Sequence, residues 1–599
     1  MILSPVRINR KTYYSLGMLA AMRFVACLWL VASGLSHPVL SQELAFQPTD
    51  FVGTELEADI AAVPVEYQHR LEYPVSTALT ASEIDAVAPA PVDPLETGPY
   101  WIRENRLALK APIDRTAAVD IESMVWAALA HSPYVHSIQT RPMILEAEIQ
   151  QAQGIFDPAR FVNSIWNDRS DPVGNTLTTG GPRRFNEQII ENKAGIRKKN
   201  EFGGNWEAAQ EINLRDNNSV FFVPRKQADT KMVMRYTQPL MKGYGRTYNR
   251  ASITIAELNF EVSNQDANQA VQTHIMDVNE AFWQLVNQRS QAFQINRGIV
   301  RLRETHRQLE NRTDLDLIQN QLLRASSAIS GLNAKRARAL AQIVVYEEQL
   351  RQLVNAPWVQ PNACDEIIPT SIPLNVLVPI QLEEELATAL NSRPDVLAIR
   401  DQIQAANVKL RVAEQDLRPT LNLVTDFYVR GLNGQYDVSN SLGDQYSAGA
   451  PSYSGGLEYL RPKNNTLANA IKKQRDLEIR QLLFELEDRL LIVSKEVRTA
   501  IAAVQASHVE IDASASATIA NNAEVEYLES KWQNGTFLDP NQISLNLEQL
   551  LDAQQRLIQS EANWAAAQSQ YMVALARLRF ASGTLLSIER PPQDQPTQP

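Results

Sequence analysis

Cysteine is almost missing from this chain, with two in 599 residues. Cys27 lies in an N-terminal segment that reads as a secretory signal, which leaves Cys364 alone and allows no internal disulfide in the mature chain. An excess of positive charge is missing too. Lysine plus arginine number 57 against 68 aspartate plus glutamate, a net charge of −11 that argues against the basic face nucleic acid requires. No HExxH, GxSxG, P-loop or GxGxxG occurs, and none of the seven histidines has a ligand spacing; His131 and His136, five apart, share a helix face poorly. The chain therefore reads as a non-enzyme without a cofactor. Nothing in it binds nucleotide, so any work it assists is powered elsewhere.

What is present begins with export. Arg7, Arg10, Lys11 and Arg23 precede the apolar run FVACLWLVASGL, and Val39-Leu40-Ser41 offers a small residue before a cut, so residues 1–41 read as a signal peptide. A retained membrane anchor is the alternative, but the run is shorter than the ~20 residues of a spanning helix. A lipid on Cys27 is a further alternative that the ordinary signal makes unnecessary. Removing the signal takes away four basic and no acidic side chains and brings the mature charge to −15. Residues 42–115 form a Pro-rich extension, including AVAPAPVDPLETGP, that reads as linker-like, and 586–599 as a disordered tail.

Between these ends the chain repeats itself. ALAHSP at 128–133 and ALNSRP at 389–394 each run a helix into a proline. At that shift of 261 residues Ile121-Glu122 meets Leu382-Glu383, Ala152 meets Ala413, and Pro158 meets Pro419. DVNEA at 277–281 meets EVRTA at 496–500 at a shift of 219, and Tyr346, Leu350 and Leu353 meet Tyr571, Leu575 and Leu578 at a shift of 225. The agreement predicts two structural repeats, 116–357 and 379–585, joined by a linker over 358–378. The first is longer by 42 residues around NKAGIRKKNEFGGNWEAAQEI, a candidate hairpin turning at Gly203-Gly204; the second is longer by six near NGTFLDPNQ at 534–542.

Glycine and proline are absent from 246–297 and 463–534, and from about 315–355 and 541–580 except Gly331, so each repeat predicts two long antiparallel helices, about 246–355 and 464–580. Ile479, Leu482, Leu486, Leu490, Val493, Val497, Ala500 and Val504 advance by threes and fours, the seam of a coiled coil. Val271, Ile275, Val278, Phe282 and Leu285 do the same. Strands are expected at about 160–239 and 420–462. LNLVTDFYV at 421–429 and MVMRYTQP at 232–239 alternate at period two, GGLEYLRP at 455–462 closes the second pair, and FVNSIWN at 161–167 fits less well. About nine residues cross a bilayer as a tilted strand, although a soluble sheet alternates in the same way. Four to six strands cannot close a barrel, whose smallest membrane form has ~8, so a barrel would need several copies.

The ALxxxP helix starts, the A(x5)P that ends each helix before a strand pair, TQPLMKGYGR at 237–246 and the paired DVNEA and EVRTA helices resemble the TolC-like outer membrane efflux proteins over about 115–585. The resemblance implies a mostly α fold with a β-barrel part: a homotrimer sharing a twelve-stranded barrel among outer membrane lipids, above a periplasmic tunnel of coiled-coil helices. It implies a passive exit duct of a tripartite efflux or type I secretion system, with a periplasmic adaptor (membrane fusion protein) and an inner-membrane pump or ABC exporter as partners and no nucleic acid. Helix tips would open like an iris, and an acidic ring would stand near the second repeat's tip. On that pattern Asp552 takes the inner position, and its partner one turn earlier is Gln549 or Glu548. Three carboxylates around a narrow axis repel one another and attract cations, whereas an ordinary solvated helix face is the plainer reading. A periplasmic coiled-coil adaptor and a structural coiled-coil protein are the rival functions; neither accounts for the strand pairs.

Overall fold

The computed structural model describes residues 99–587 apart from 113–114, 311–314, 449 and 535–539; the expected signal and most of the Pro-rich extension and of the tail lie outside these, although Leu586, at the start of the expected tail, packs on the core. Eleven helices are described: α1 (Tyr100–Glu104), α2 (Ile121–His131), α3 (Pro133–Gln153), α4 (Arg246–Asn249), α5 (Ala251–Glu310), α6 (Leu315–Val354), α7 (Leu382–Ser392), α8 (Pro394–Asp416), α9 (Val438–Ser447), α10 (Thr466–Asn534) and α11 (Pro540–Ala581). Eight strands accompany them: β1 (Thr116–Val119), β2 (Ala159–Pro172), β3 (Arg184–Lys199), β4 (Asn205–Asn217), β5 (Lys226–Pro239), β6 (Glu366–Pro369), β7 (Thr420–Gly434) and β8 (Ser452–Leu460).

The two proline motifs have one geometry. Ser132 (φ −68°, ψ 120°) and Arg393 (φ −69°, ψ 124°) are extended, and Pro133 and Pro394 then open α3 and α8 at the first helical position. Proline's ring disfavours the helical conformation in the residue before it but suits the first turn, where its N–H would have no partner within its own helix. The interruption therefore lasts one residue. Ser132 N still donates to Ala128 O and Arg393 N to Ala389 O, at 3.0 and 3.1 Å, so the N–H before each proline keeps its helical partner.

The long helices run where apolar spacing is unbroken. α10 has 69 residues, about 100 Å at ~1.5 Å per residue. Leu486, Val493, Val497 and Val504 from its apolar spacing are buried against Ala567, Tyr571, Ala574 and Leu578 of α11. In α5, Val271, Ile275, Val278, Phe282 and Leu285 are all buried, with Ile343, Leu350 and Val354 of α6 in the same core. Burying each such side chain contributes about 1.5–3 kcal/mol. α5 continues through Gly298, where a Cβ would fall 2.4 Å from Ile558 Cδ1 of α11; the glycine lets the two hairpins approach. α5 and α10 also pack on α8, which bridges the halves.

Two stretches expected to be linkers are built into the core. In the expected linker 358–378, β6 pairs in parallel with β1, and Ile367 is fully buried. At the end of the expected Pro-rich extension, Trp101 of α1 packs edge-on to Trp564 with ring centroids 5.2 Å apart. Residues 109–111 donate three backbone N–H groups to the Glu366 carboxylate. The buried indole and the three backbone bonds to Glu366 together dock this segment on the core.

The other six strands make one antiparallel sheet in the order β2-β3-β4-β5-β7-β8. The 42-residue excess of the first half is the β3–β4 hairpin. Its turn is closed by Gly203 N to Asn200 O (3.0 Å) and Asn200 N to Gly204 O (2.8 Å). Gly203 has φ +92°, a conformation that costs only glycine nothing.

Candidate pore-lining face and helix tips

The register sorts the sheet's side chains into two unlike faces. Because side chains alternate, Lys193, Glu211 and Lys231, paired across β3, β4 and β5, stand on one face with Glu207, Arg235 and Asp426. Every charge in this row is answered across a strand. Lys193 Nζ lies 2.8 Å from Glu207 Oε1 and 3.3 Å from Glu211 Oε1, Arg235 Nε 2.7 Å from Asp426 Oδ1, and Arg430 Nε 2.6 Å from Asp229 Oδ1. The opposite face carries Ile190, Ile212, Met234 and Phe427, with Tyr453 85% and Trp166 64% exposed. An apolar face this extended is not left to water, and opposite it a charged one is suited to line a wet passage. α9 crosses the apolar face near the end remote from the long helices. There Thr230 Oγ1 donates to Ser441 O at 2.9 Å, and Gln210 meets Gln445 at 3.0 Å.

At the far end of the long helices, Leu309 of α5, Ala325 of α6, Trp532 of α10, and Leu547 and Leu550 of α11 bury one another. Beside them Gln321, Arg324, Ser544, Leu547, Glu548, Leu551 and Asp552 line a cleft of about 190 Å³. Glu548 and Asp552, four apart on α11, share its wall, and Arg324 Nη1 stands 3.5 Å from Glu548 Oε2. Gln549 is exposed and lies outside the cleft. The six-residue excess at 534–542 falls mostly on residues outside those described. Arg324 was not among the residues singled out from sequence, yet it was reachable: at the shift of 225 it stands where Gln549 stands in the second half.

No protein-family model matches the chain, and no curated protein sequence does. Solved structures do. The MtrE outer membrane channel of Neisseria gonorrhoeae superposes with a TM-score of 0.55 at 15% identity, covering 80% of this chain and 96% of that one. The CmeC outer membrane channel of Campylobacter jejuni gives 0.54 at 13%, covering 85% and 95%. The outer membrane protein VceC of Vibrio cholerae gives 0.53 at 13%, covering 77% and 96%. The chain has the TolC-like channel fold. Within the TolC-like fold the two-faced sheet and the helix tips both gather charged side chains. Among the described residues no three His, Cys, Asp or Glu side chains gather where a metal could sit, and no helix is long and apolar enough to cross a membrane.

Proposed function

We propose that this protein is the passive outer-membrane exit duct of a tripartite efflux or type I secretion system. Three copies share a barrel formed from their sheets, embedded in outer membrane lipid, and their helices form a tunnel in the periplasm. The tunnel docks on a periplasmic adaptor and, through it, on an inner-membrane pump or ABC exporter that supplies the energy. There is no catalytic step. The observation that carries this reading is the combination in one chain of helices of 60 and 69 residues with a sheet that is charged on one face and apolar on the other. Backbone polar groups cannot be left unpaired in lipid, so a six-stranded sheet placed there must be completed by other copies.

On this reading the chain is a signal peptide over 1–41, an N-terminal extension over 42–115, two repeats of one helix–strand–strand–helix unit over 116–357 and 379–585 with 358–378 between them, and a tail over 586–599. The matching geometry at Ser132 and Arg393 supports a duplication. Asp552 is the gate residue, its carboxylates forming a ring in three copies; Glu548 stands one turn before it, and Gln549 beside it is a weaker candidate. Tip movement of the iris kind separates these rings. An adaptor or a purely structural coiled coil leaves the apolar sheet face without a use.

Migration of outer-membrane fractions with and without boiling tests the reading. A band of three chain masses that collapses on heating, together with ion conductance when the purified protein is added to planar bilayers, is expected. A water-soluble monomer recovered from the periplasm ends it.

A further inference from the structure

We propose that the β3–β4 hairpin adds two membrane-spanning strands to each copy, so that three copies joined β8 to β2 close an eighteen-stranded barrel rather than a twelve-stranded one. The inference rests on the trimeric duct reading for the number of copies, but its substance, where the hairpin lies, does not.

The hairpin has the length, the pairing and the two faces of a spanning element. β3 has 16 residues and β4 has 13, against ~9–11 needed to cross a bilayer on a tilt. β3 is hydrogen-bonded along its length to β2 and to β4, and β4 to β5, so the hairpin stands inside the sheet and separates β2 from β5. An external loop would leave those two strands as neighbours. Its apolar residues Ile190, Ile196 and Ile212 continue the face of Met234 and Phe427, and Lys193 and Glu211 continue the charged face.

The turn at the bottom of the hairpin is fastened to the rim where strands give way to helices. Gly245 N and Gln238 Nε2 both donate to Phe202 O, at 3.3 and 3.1 Å, and Arg246 Nε lies 2.9 Å from Glu201 Oε2. A Cβ on Gly203 would fall 2.3 Å from Gly243 O, so turn and rim are in direct contact.

Parity then allows closure. With six alternating strands, the free edges β2 and β8 run in opposite directions, so β8 of one copy meets β2 of the next antiparallel, like every pair already in the sheet. Three copies give eighteen strands, an even number. Barrel diameter grows about linearly with strand count, so the barrel is about half as wide again as one of twelve, a size at which porins keep an aqueous channel.

Single cysteines test this in the full-length protein in outer membranes, where the signal has removed Cys27 and Cys364 is buried. Ile190→Cys and Ile196→Cys should resist a membrane-impermeant maleimide, while Lys193→Cys and Glu211→Cys should react at least about tenfold faster, because one set faces lipid and the other water. Equal fast labelling at all four positions in a protein that still forms heat-labile trimers overturns the inference and leaves the duct standing. Failure to form trimers at all overturns the duct reading instead. Electron microscopy of the unmodified protein in nanodiscs keeps the question open to decision if a variant does not fold: eighteen strands around the axis are expected, and twelve refute the proposal.

Discussion

Arg289 and Glu366 form an ion pair in which both side chains are fully buried, with Nη1 2.5 Å from Oε1. The pair holds the start of the described chain in place. Arg289 Nη2 donates to Leu107 O at 2.7 Å and to Asn105 O at 3.2 Å, and Glu366 accepts from the backbone of Leu109, Lys110 and Ala111. Removing one member leaves the other charged and without its partner, which costs about 3–5 kcal/mol. Arg289→Ala or Glu366→Ala should therefore lower the melting temperature and expose Arg103, Arg106 and Lys110 to trypsin. Cleavage no faster than in the unaltered protein would show that the segment is held by Trp101 alone.

This anchor has a pH dependence with two limbs. Burial would raise the Glu366 carboxyl, but the three backbone donors and Arg289 outweigh it and hold it below the usual carboxylate range. A depressed carboxyl stabilises the fold above its unfolded value of ~4.3, and the contribution is lost as pH falls through the lower folded value. Burial, by contrast, pushes Glu347 and Glu561 up, in spite of Lys110 beside the first and Tyr100 beside the second. A raised carboxyl contributes stability that is complete below its unfolded value and is lost as pH rises through the folded one. Heat stability should thus rise modestly as pH falls from neutral towards the unfolded carboxyl value of ~4.3 and fall again below it. Melting curves across that range for Glu347→Gln and Glu561→Gln, which should flatten the rise, and for Glu366→Gln, which should flatten the fall, separate the limbs.

How much of this was legible beforehand depends on whether the signal is local. The helices of each half were readable because Val271 to Leu285 and Leu486 to Val504 repeat within a few turns, a pattern that leaves little choice of structure. β7 was readable for the same reason. β2 was readable less well, because it is an edge strand whose faces are mixed: Phe161 and Ile165 stand on the charged face, and Ser164 and Asp168 on the apolar one. Docking of residues 99–112 was invisible, since its partners lie at Arg289, Glu366 and Trp564, hundreds of residues away. Of the gate candidates, sequence placed Glu548 and Asp552 one turn apart; only packing brought Arg324 to them.

α9 lies on the sheet because Gly431 has no side chain. A Cβ there would stand 2.0 Å from Ser441 O and 2.5 Å from Gln445 N, both backbone atoms that cannot swing aside. Gly431→Val should lift α9, break the contacts of Thr230 and Gln210 with it, and expose the α9 segment to added protease. A cost of about 1–3 kcal/mol, of the order found for overpacking, should appear as a lower melting temperature. Gly443→Val, with open space around its Cβ, is the control and should change neither readout.

Glu548 and Asp552 share a wall but not an environment, and this separates their expected effects. Arg324 stands 3.5 Å from Glu548, with both side chains about half exposed, so the pair contributes about 0–1 kcal/mol and Arg324→Ala should leave the melting temperature nearly unchanged. On the proposed gate reading its effect is on charge: it offsets Glu548 and leaves Asp552 to set the sign of the constriction. In planar bilayers under a salt gradient, Asp552→Asn should reduce the preference for cations, Glu548→Gln should reduce it less, and Gln549→Ala should not change it. Arg324→Ala should move the reversal potential the other way, towards stronger cation preference, because it uncovers a second carboxylate per copy. If Asp552→Asn and Gln549→Ala behave alike, the acidic residues lie on an ordinary solvated helix face and the gate must be sought nearer the turns of the hairpins.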